Sequence, residues 1–454
     1  MMKYFTLILW CSAILFSCQR QPNKIPTHAI TASAPFGEVT VEVPDFGQSK
    51  RYLITDFGAL PNDQKATTKA IMEAIEVAHN QGGGRVVIPK GEWLTGKIHL
   101  KSNINLHLEQ GAVLLFSDNP QDYLPAVHTS WEGLECYNYS PLIYAYQCKN
   151  IAITGQGELK AKMDTWRGWF DRPPGHMNSL KELYHMAAKN IPVEERQMVN
   201  HSANLRPHFI QFNRSENILL KGVTITNSPF WVIHPYLSKN VYIQQVKVFA
   251  HGHNNDGVDP EMSQNIIIEN SIFDQGDDAI AVKSGRNQDA WRLATPSKNI
   301  VIKNCKIING HQLMAIGSEL SGGIENIYMS ECQVAKGAKL NHLLFIKTNH
   351  RRGGTVSNIY MDRITSGKIA EGILGIDTDV LYQWRDLVPT YQKKLTTIKE
   401  VYLSDIHAEN VAFISKISGQ EQCPVKNIVL KQVTADSIRN QPIMNQNVLG
   451  FNYQ

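Results

Sequence analysis

No long run of lysine or arginine, no C-x-x-C pair and no Cys/His cluster occurs in this chain of 454 residues, and each absence removes a class of protein. Charged residues are only 19% of the total, and a formal net charge of +4 is too small and too dispersed for a nucleic-acid surface. Of seven cysteines, the five beyond Cys18 (Cys136, Cys148, Cys305, Cys332 and Cys423) have no paired spacing, which argues against a disulfide framework and against zinc. They read as buried thiols. Beyond the N-terminus no segment is long and apolar enough to cross a bilayer, and no pattern asks for a cofactor or a structural metal. With 43% hydrophobic residues the chain can still bury a sizeable core.

The N-terminus reads as an export signal. Lys3 is a basic start, Tyr4 to Phe16 is an apolar stretch too short to span a membrane, and Leu15-Phe16-Ser17-Cys18 resembles a bacterial lipobox. Residues 1–17 are expected to be a lipoprotein-type signal peptide, with Cys18 lipidated, 18–45 a tether, and 46–454 the folded domain. Such a chain is an exported periplasmic or outer-membrane lipoprotein of a bacterium, touching membrane only through its anchor; ordinary cleavage is the alternative.

What the chain does have is a repeat. An Asn is followed by apolar residues at the first and third positions and a small or apolar residue at the sixth. Examples are Asn217-Ile218-Leu219-Leu220, Asn240-Val241-Tyr242-Ile243, Asn265-Ile266-Ile267-Ile268 and Asn299-Ile300-Val301-Ile302, and the pattern continues from Asn326, Asn358 and Asn427. Intervals of roughly 23 to 34 residues, holding short strands with little helical periodicity between them, predict an all-β, right-handed parallel β-helix. Ala70, Ile71, Ala74, Ile75 and Ala78 fall at helical spacing over Thr67 to Ala78, a helix placed to cap the first rung. Cys305 and Cys332, each six residues after its Asn, are expected to stack inside adjacent rungs. The asparagines themselves read as a turn ladder whose amides satisfy backbone groups. Two insertions break the repeat: one between Asn150 and Asn217, with helix expected around Leu180 to Lys189, and one over Asp379 to Lys394 with Tyr382, Trp384, Arg385 and Tyr391. In solenoids such insertions gather at the binding face.

Registering the repeats places the polar residues. Asp277 and His311 each lie twelve positions after their Asn, so they belong on successive rungs about 4.8 Å apart. Asp256 joins them if Ala250 to His253 holds a bulge, and Lys347 follows on the next rung. The expected column of Asp256, Asp277, Asp278, His311 and Lys347 fits glycoside hydrolysis: one carboxylic acid protonates the departing oxygen while a carboxylate activates water. Asp259 and Glu319 read as structural.

The motifs Asn254-Asn255-Asp256-Gly257-Val258-Asp259, Gly276-Asp277-Asp278, Gly310-His311 and Ile346-Lys347-Thr348 resemble glycoside hydrolase family 28, the polygalacturonases. Asp56-Phe57-Gly58-Ala59 and Ile225 to Trp231 fit as well. The resemblance implies an enzyme acting on pectic polysaccharide or oligosaccharide by inversion. In it Asp277 is the general acid, Asp256 and Asp278 the water-activating carboxylates, His311 the support of the acid, and Lys347 a ligand for substrate carboxylate on the leaving side. Asn254 and Trp231 enter as further substrate-binding candidates. Three positions depart from the family pattern: Asn255 stands for Thr, Gln312 for Gly, and Phe345 for Arg. Phe345 offers no fork for a uronate carboxylate. Either Arg351 or Arg352 takes that task, or the ring stacks on a neutral sugar such as rhamnose. The insertions are expected to wall one end of the cleft and favour release of single residues from chain ends. Rival readings are a rhamnogalacturonan-type hydrolase, a calcium-dependent β-helical pectate lyase with metal on Asp277 and Asp278, and a non-catalytic polysaccharide-binding β-helix.

Overall fold

The computed structural model describes residues 25–199, 204–381 and 392–454. The signal segment with Cys18, and Tyr382, Trp384, Arg385 and Tyr391 of the second insertion, lie outside the described residues. The architecture is the expected right-handed parallel β-helix. Strands Lys239–Gln244, Gln264–Glu269 and Ser297–Lys303 pair in parallel, with Val241 opposite Ile266 and Ile266 opposite Ile300. The same inward position continues as Ile327, Ile359 and Val401, all fully buried. Each such aliphatic side chain contributes about 1.5–3 kcal/mol relative to exposure. Cys305 and Cys332 are buried where the repeat places them.

The repeated asparagines do something more specific than bond to backbone. Asn150, Asn217, Asn240, Asn265, Asn299, Asn326 and Asn358 all adopt left-handed φ between 52° and 59°, a conformation that Asn tolerates better than other side chains. Each amide donates to the side-chain oxygen of the Asn one rung earlier, at 2.9–3.4 Å, in an unbroken chain from Asn358 back to Asn103. Identical turn positions one strand spacing apart bring amide to amide, so the ladder satisfies itself. In the next rung Glu400, with φ 60°, occupies the Asn place and the ladder stops.

The helix expected over Thr67 to Ala78 is α1, Gln64–Asn80, capped by Asp63, whose Oδ1 accepts from the Ala66 amide at 2.9 Å. It buries Ala70, Ile71, Ala74, Ile75 and Ala78 over the end of the coil.

The tether expected over 18–45 is a correction. From Thr27 the chain forms an antiparallel hairpin, Thr27–Ala34 with Gly37–Pro44, in register from Thr27 opposite Pro44 to Ala34 opposite Gly37. Ala32, Val39, Val41 and Val43 alternate inward and cover outward-facing Tyr242, Ile267, Val301 and Tyr328 of four successive rungs. A polar tether would leave that apolar stripe in water.

A second hairpin, Val127–Trp131 with Leu134–Asn138, was not legible as such. It packs on the first insertion, which forms α2, Asp164–Phe170, and α3, Pro174–Ala188. Trp131, Leu134, Leu180, Leu183 and Phe230 make their shared core. Ion pairs fasten the hairpin to the coil: buried Glu135 receives Arg214 at 2.6 Å and Arg292 of α4 (Asn287–Leu293) at 2.5 Å. Asp289 of α4 receives Arg196 at 2.6 Å and the Glu135 amide at 2.9 Å.

Candidate active site

Equivalent turns on two successive rungs carry the acids, Asp256 on one and Asp277-Asp278 on the next, and the strand after the second leads to a cation outside the sequence motifs. After Asp277-Asp278, Ile280–Val282 is a buried strand paired with Gln312–Gly317, so alternate side chains face outward and Lys283 leaves at its end. Lys283 Nζ lies 3.3 Å from Asp256 Oδ2, 3.5 Å from Asp259 Oδ1 and 3.6 Å from Glu319 Oε2, with the Trp231 ring centroid 4.5 Å away. Burial opposes its charge, but Asp256, Asp259 and Glu319 outweigh that and hold it protonated. Glu319, expected to be structural, is therefore a counter-charge of the site, held ionised by Arg286 and Lys283, whereas burial and the neighbouring Asp256 raise Asp259 well above the ordinary carboxylate range. The available signal was a Lys on the outward alternation of an otherwise apolar strand, in register with Glu261.

Asp277 and His311 meet as registered: the His311 amide donates to the Asp277 carbonyl at 2.8 Å, and His311 Nδ1 lies 3.1 Å from Asp277 Oδ1. The rest of the expected single column needs correcting. Val258 bridges Ile280, which puts Asp256 beside Asp278, and the Gly257 amide donates to the Asp278 carbonyl at 3.0 Å. Lys347 pairs with Gly317, five positions further along its strand than His342, which pairs with Gln312. Its long side chain reaches back to Asp278 Oδ2 at 2.9 Å. The site is thus a two-dimensional patch, because the strand is long enough to offset Lys347 and the side chain long enough to close the gap.

Around this patch is a cleft of 510 Å³. Asn254, left-handed at φ 59°, lines it and accepts from the buried Arg206 guanidinium at 2.9 Å. Trp231 lines it from beneath, only 2% exposed, stacked on Phe230 with ring centroids 5.1 Å apart. Lys283 lies over its ring, so Trp231 is a floor for Lys283 more than a sugar platform. Phe345 lines the opposite end, parallel to His342 with centroids 4.6 Å apart and planes at 7°. Arg351 is buried and is not among the lining residues, and Arg352 is tied to the Ser318 carbonyl at 2.7 Å and Asn287 Oδ1 at 2.8 Å.

The carboxylates are pushed apart. Burial raises Asp256 to about 7, against the opposing pull of Lys283. Burial likewise raises Asp278, partly offset by Lys347. Burial would raise Asp277 as well, but the His311 hydrogen bond and the Lys347 charge prevail and hold it at about 2. The same bond to Asp277 raises His311 above its ordinary value. Asp277 and His311 therefore share one proton, resting on the imidazole while the cleft is open to water. Asp277, Asp278 and His311 also offer ligand atoms within 4.8 Å of one another, but Lys347 already sits on Asp278, and a cation there works against a divalent ion.

The second hairpin borders the cleft through Glu132. The turn Glu132-Gly133 of the second hairpin lies on the coil where the Arg286 amide donates to the Gly133 carbonyl at 3.0 Å. Arg286 is paired there with Glu319 and with Glu132 at 3.3 Å. Gly133 has φ 83°, and a Cβ on it would stand 2.9 Å from Glu319 and 3.0 Å from Arg286, so only glycine fits.

A parallel β-helix bearing paired acids, a proton-sharing histidine and a buried lysine in an open-sided cleft is the framework of a polysaccharide-processing enzyme. Comparison with known proteins makes the assignment sharper. The family model "Glycosyl hydrolases family 28" matches residues 193–448, and the chain belongs to that family; it is a glycoside hydrolase. Among solved structures it is similar to the hyperthermoactive exopolygalacturonase from Thermotoga maritima, with 34% identity, a TM-score of 0.83, and coverage of 91% of this chain and 94% of that one. Among curated relatives it is 28% identical to a probable polygalacturonase of Vitis vinifera, over 84% of this chain and 73% of the relative. It is 29% identical to an exo-poly-alpha-D-galacturonosidase of Dickeya chrysanthemi, over 60% of this chain and 48% of the relative.

Proposed function

We propose that this chain hydrolyses α-galacturonide bonds of pectic chains from an end, with inversion, releasing single galacturonate residues. The observation that carries this is the turn Glu132-Gly133 laid on the coil at Arg286 and bordering the cleft: a wall there would limit how far a pectic chain runs past the catalytic acids. The names of the relatives support galacturonide as the sugar cleaved.

The chemistry follows from the charges. Substrate entry strips water from the Asp277–His311 pair, which favours a carboxylic acid and a neutral imidazole over two charges. Asp277 then gives that proton to the glycosidic oxygen as the bond to the anomeric carbon breaks. Ionised Asp256 or Asp278 takes a proton from water, whose oxygen attacks the anomeric carbon from the opposite face. Lys283 keeps Asp256 ionised more readily than burial alone would allow. We also propose the exported, Cys18-anchored location, tested by metabolic labelling with a fatty acid and its loss in Cys18→Ala. For the mode of attack, reducing sugar should appear far ahead of viscosity loss on polygalacturonate; early viscosity collapse would show mid-chain cutting. Asp277→Asn should abolish both signals while the protein still binds oligosaccharide.

A further inference from the structure

A second groove runs along the coil beyond the hairpin that borders the cleft. Two hollows of 380 and 340 Å³ meet there at Gln147 and Cys148. Tyr146, which lines the first of them, belongs to the row that leads through Asn213, Tyr236 and Glu261 to Lys283. Four strand spacings, about 19 Å, therefore separate it from the catalytic cluster. The hairpin lies across the face between the two. Its His128 carbonyl accepts from Tyr144 Oη at 2.5 Å and from Asn213 Nδ2 at 2.9 Å, and its turn at Glu132 reaches the cleft.

The floor of the groove satisfies itself. The Cys148 and Ser215 amides donate to Ser215 Oγ and Ser238 Oγ one rung on, at 3.2 and 3.0 Å. Its walls are different. Past the Gln147-Cys148 turn, Lys149, Glu216, Lys239 and Gln264 hold one register position on successive rungs. The two lysines thus stand two spacings apart, about 10 Å. They are 68% and 58% exposed and share one carboxylate, Glu216, at 2.9 and 3.2 Å. Among the described residues lining the groove, Glu216 is the sole acid. Lys101 adds a third ammonium, paired with Glu76 outside the groove. Arg214 is engaged by buried Glu135 at 2.6 Å and serves the hairpin instead. Before the turn, Tyr146 is 37% exposed, its ring near-parallel to that of Tyr144 with planes at 17°.

We propose that this groove is a second, non-catalytic site for an acidic polysaccharide, with Tyr146 against a sugar face and Lys149 and Lys239 on carboxylates of the same chain. Cations in excess of acids beside an exposed ring suit a polyanion built of flat units. Glu216 now divides its charge between two ammonium groups, and an arriving carboxylate takes over one of them. The identity of the chain as pectic rests on the hydrolytic reading above; the groove and its charge do not. Polymer held here raises the local concentration of its ends at the cleft across the hairpin.

Affinity electrophoresis of Asp277→Asn through gels of polygalacturonate or neutral galactan tests this. In that background the triple variant Tyr146→Ala, Lys149→Gln, Lys239→Gln should bind polygalacturonate at least about fivefold more weakly, as two exposed ion pairs and a ring contact warrant. Glu216→Gln should bind it more tightly, because the lysines lose their internal partner. In the active enzyme the triple substitution should raise KM on polygalacturonate and leave kcat/KM on digalacturonate, too short to reach the groove, unchanged; the second measurement also reports folding. Undiminished retardation of the triple variant, or retardation by galactan equal to that by polygalacturonate, would overturn the proposal. Charge-dependent retardation without hydrolysis of any galacturonide by the wild type would overturn the hydrolytic reading and leave this site standing.

Discussion

Replacing Lys283 by methionine removes the charge between three buried carboxylates and keeps the stem's packing against Trp231. At 3.3 Å from Asp256, the pair is worth about 5 kcal/mol at an effective dielectric of 20. A third of that is still more than one pKa unit at about 1.36 kcal/mol per unit. Asp256, already raised to about 7, should therefore titrate more than one unit higher in Lys283→Met. The acidic limb of the kcat/KM profile should move up with it, because the base must lose its proton to act. Stability should change in the same sense. A carboxyl whose folded pKa is raised above its unfolded value costs nothing below the unfolded value, destabilises progressively as pH rises from there to the folded value, and costs a constant amount above it. The variant's deficit in chemical unfolding should thus be about 3–5 kcal/mol at pH 8 and smaller at pH 5, where Asp256 holds its proton. Lys283→Arg, which keeps the charge, should keep the limb near its original place. An unmoved acidic limb together with an unchanged unfolding midpoint at pH 8 would refute the assignment of Lys283 as the cluster's counter-charge.

Three further outcomes follow from other parts of the molecule. His311→Gln removes the partner that shares the acid's proton, so kcat should fall by roughly 10² or more and the alkaline limb, set by the raised His311, should disappear from the pH–rate profile. Asn299→Ala breaks the ladder at two hydrogen bonds and forces alanine into left-handed φ; unfolding should show a loss of about 2–3 kcal/mol, with Asn299→Gly recovering the backbone part. Val41→Asp places a charge between the N-terminal hairpin and the stripe of Tyr242, Ile267 and Val301, and limited proteolysis should then cut the hairpin first while activity persists.

The fold was legible because one residue type marks rung after rung from Asn150 to Asn358. Asn at a left-handed turn followed by inward aliphatics at the first and third positions is a one-dimensional pattern, and Asn217 to Asn358 set the register that put Asp277 on His311. Sequence spacing cannot convey how far a side chain reaches or where along its strand it starts, so Lys347 was placed one rung on when it lies five positions along and folds back to Asp278. Lys283 escaped for a related reason: a lone Lys in a strand reads as surface, and only the three-dimensional cluster shows it buried under Asp256. The two hairpins were hidden differently. Val39 to Val43 alternates as a strand does, but its partner stripe is scattered over four rungs, and the Glu132-Gly133 turn matters only because Arg286, far along the chain, lies beneath it.

In the proposed mechanism a water activated by Asp256 or Asp278 displaces a leaving group protonated by Asp277. Proton NMR of the first turnovers on a galacturonide substrate reads this directly. The released galacturonate should appear first as the β-anomer and then mutarotate, and Asp277→Asn should yield no signal. Release of the α-anomer, or of an unsaturated sugar absorbing in the ultraviolet, would contradict it.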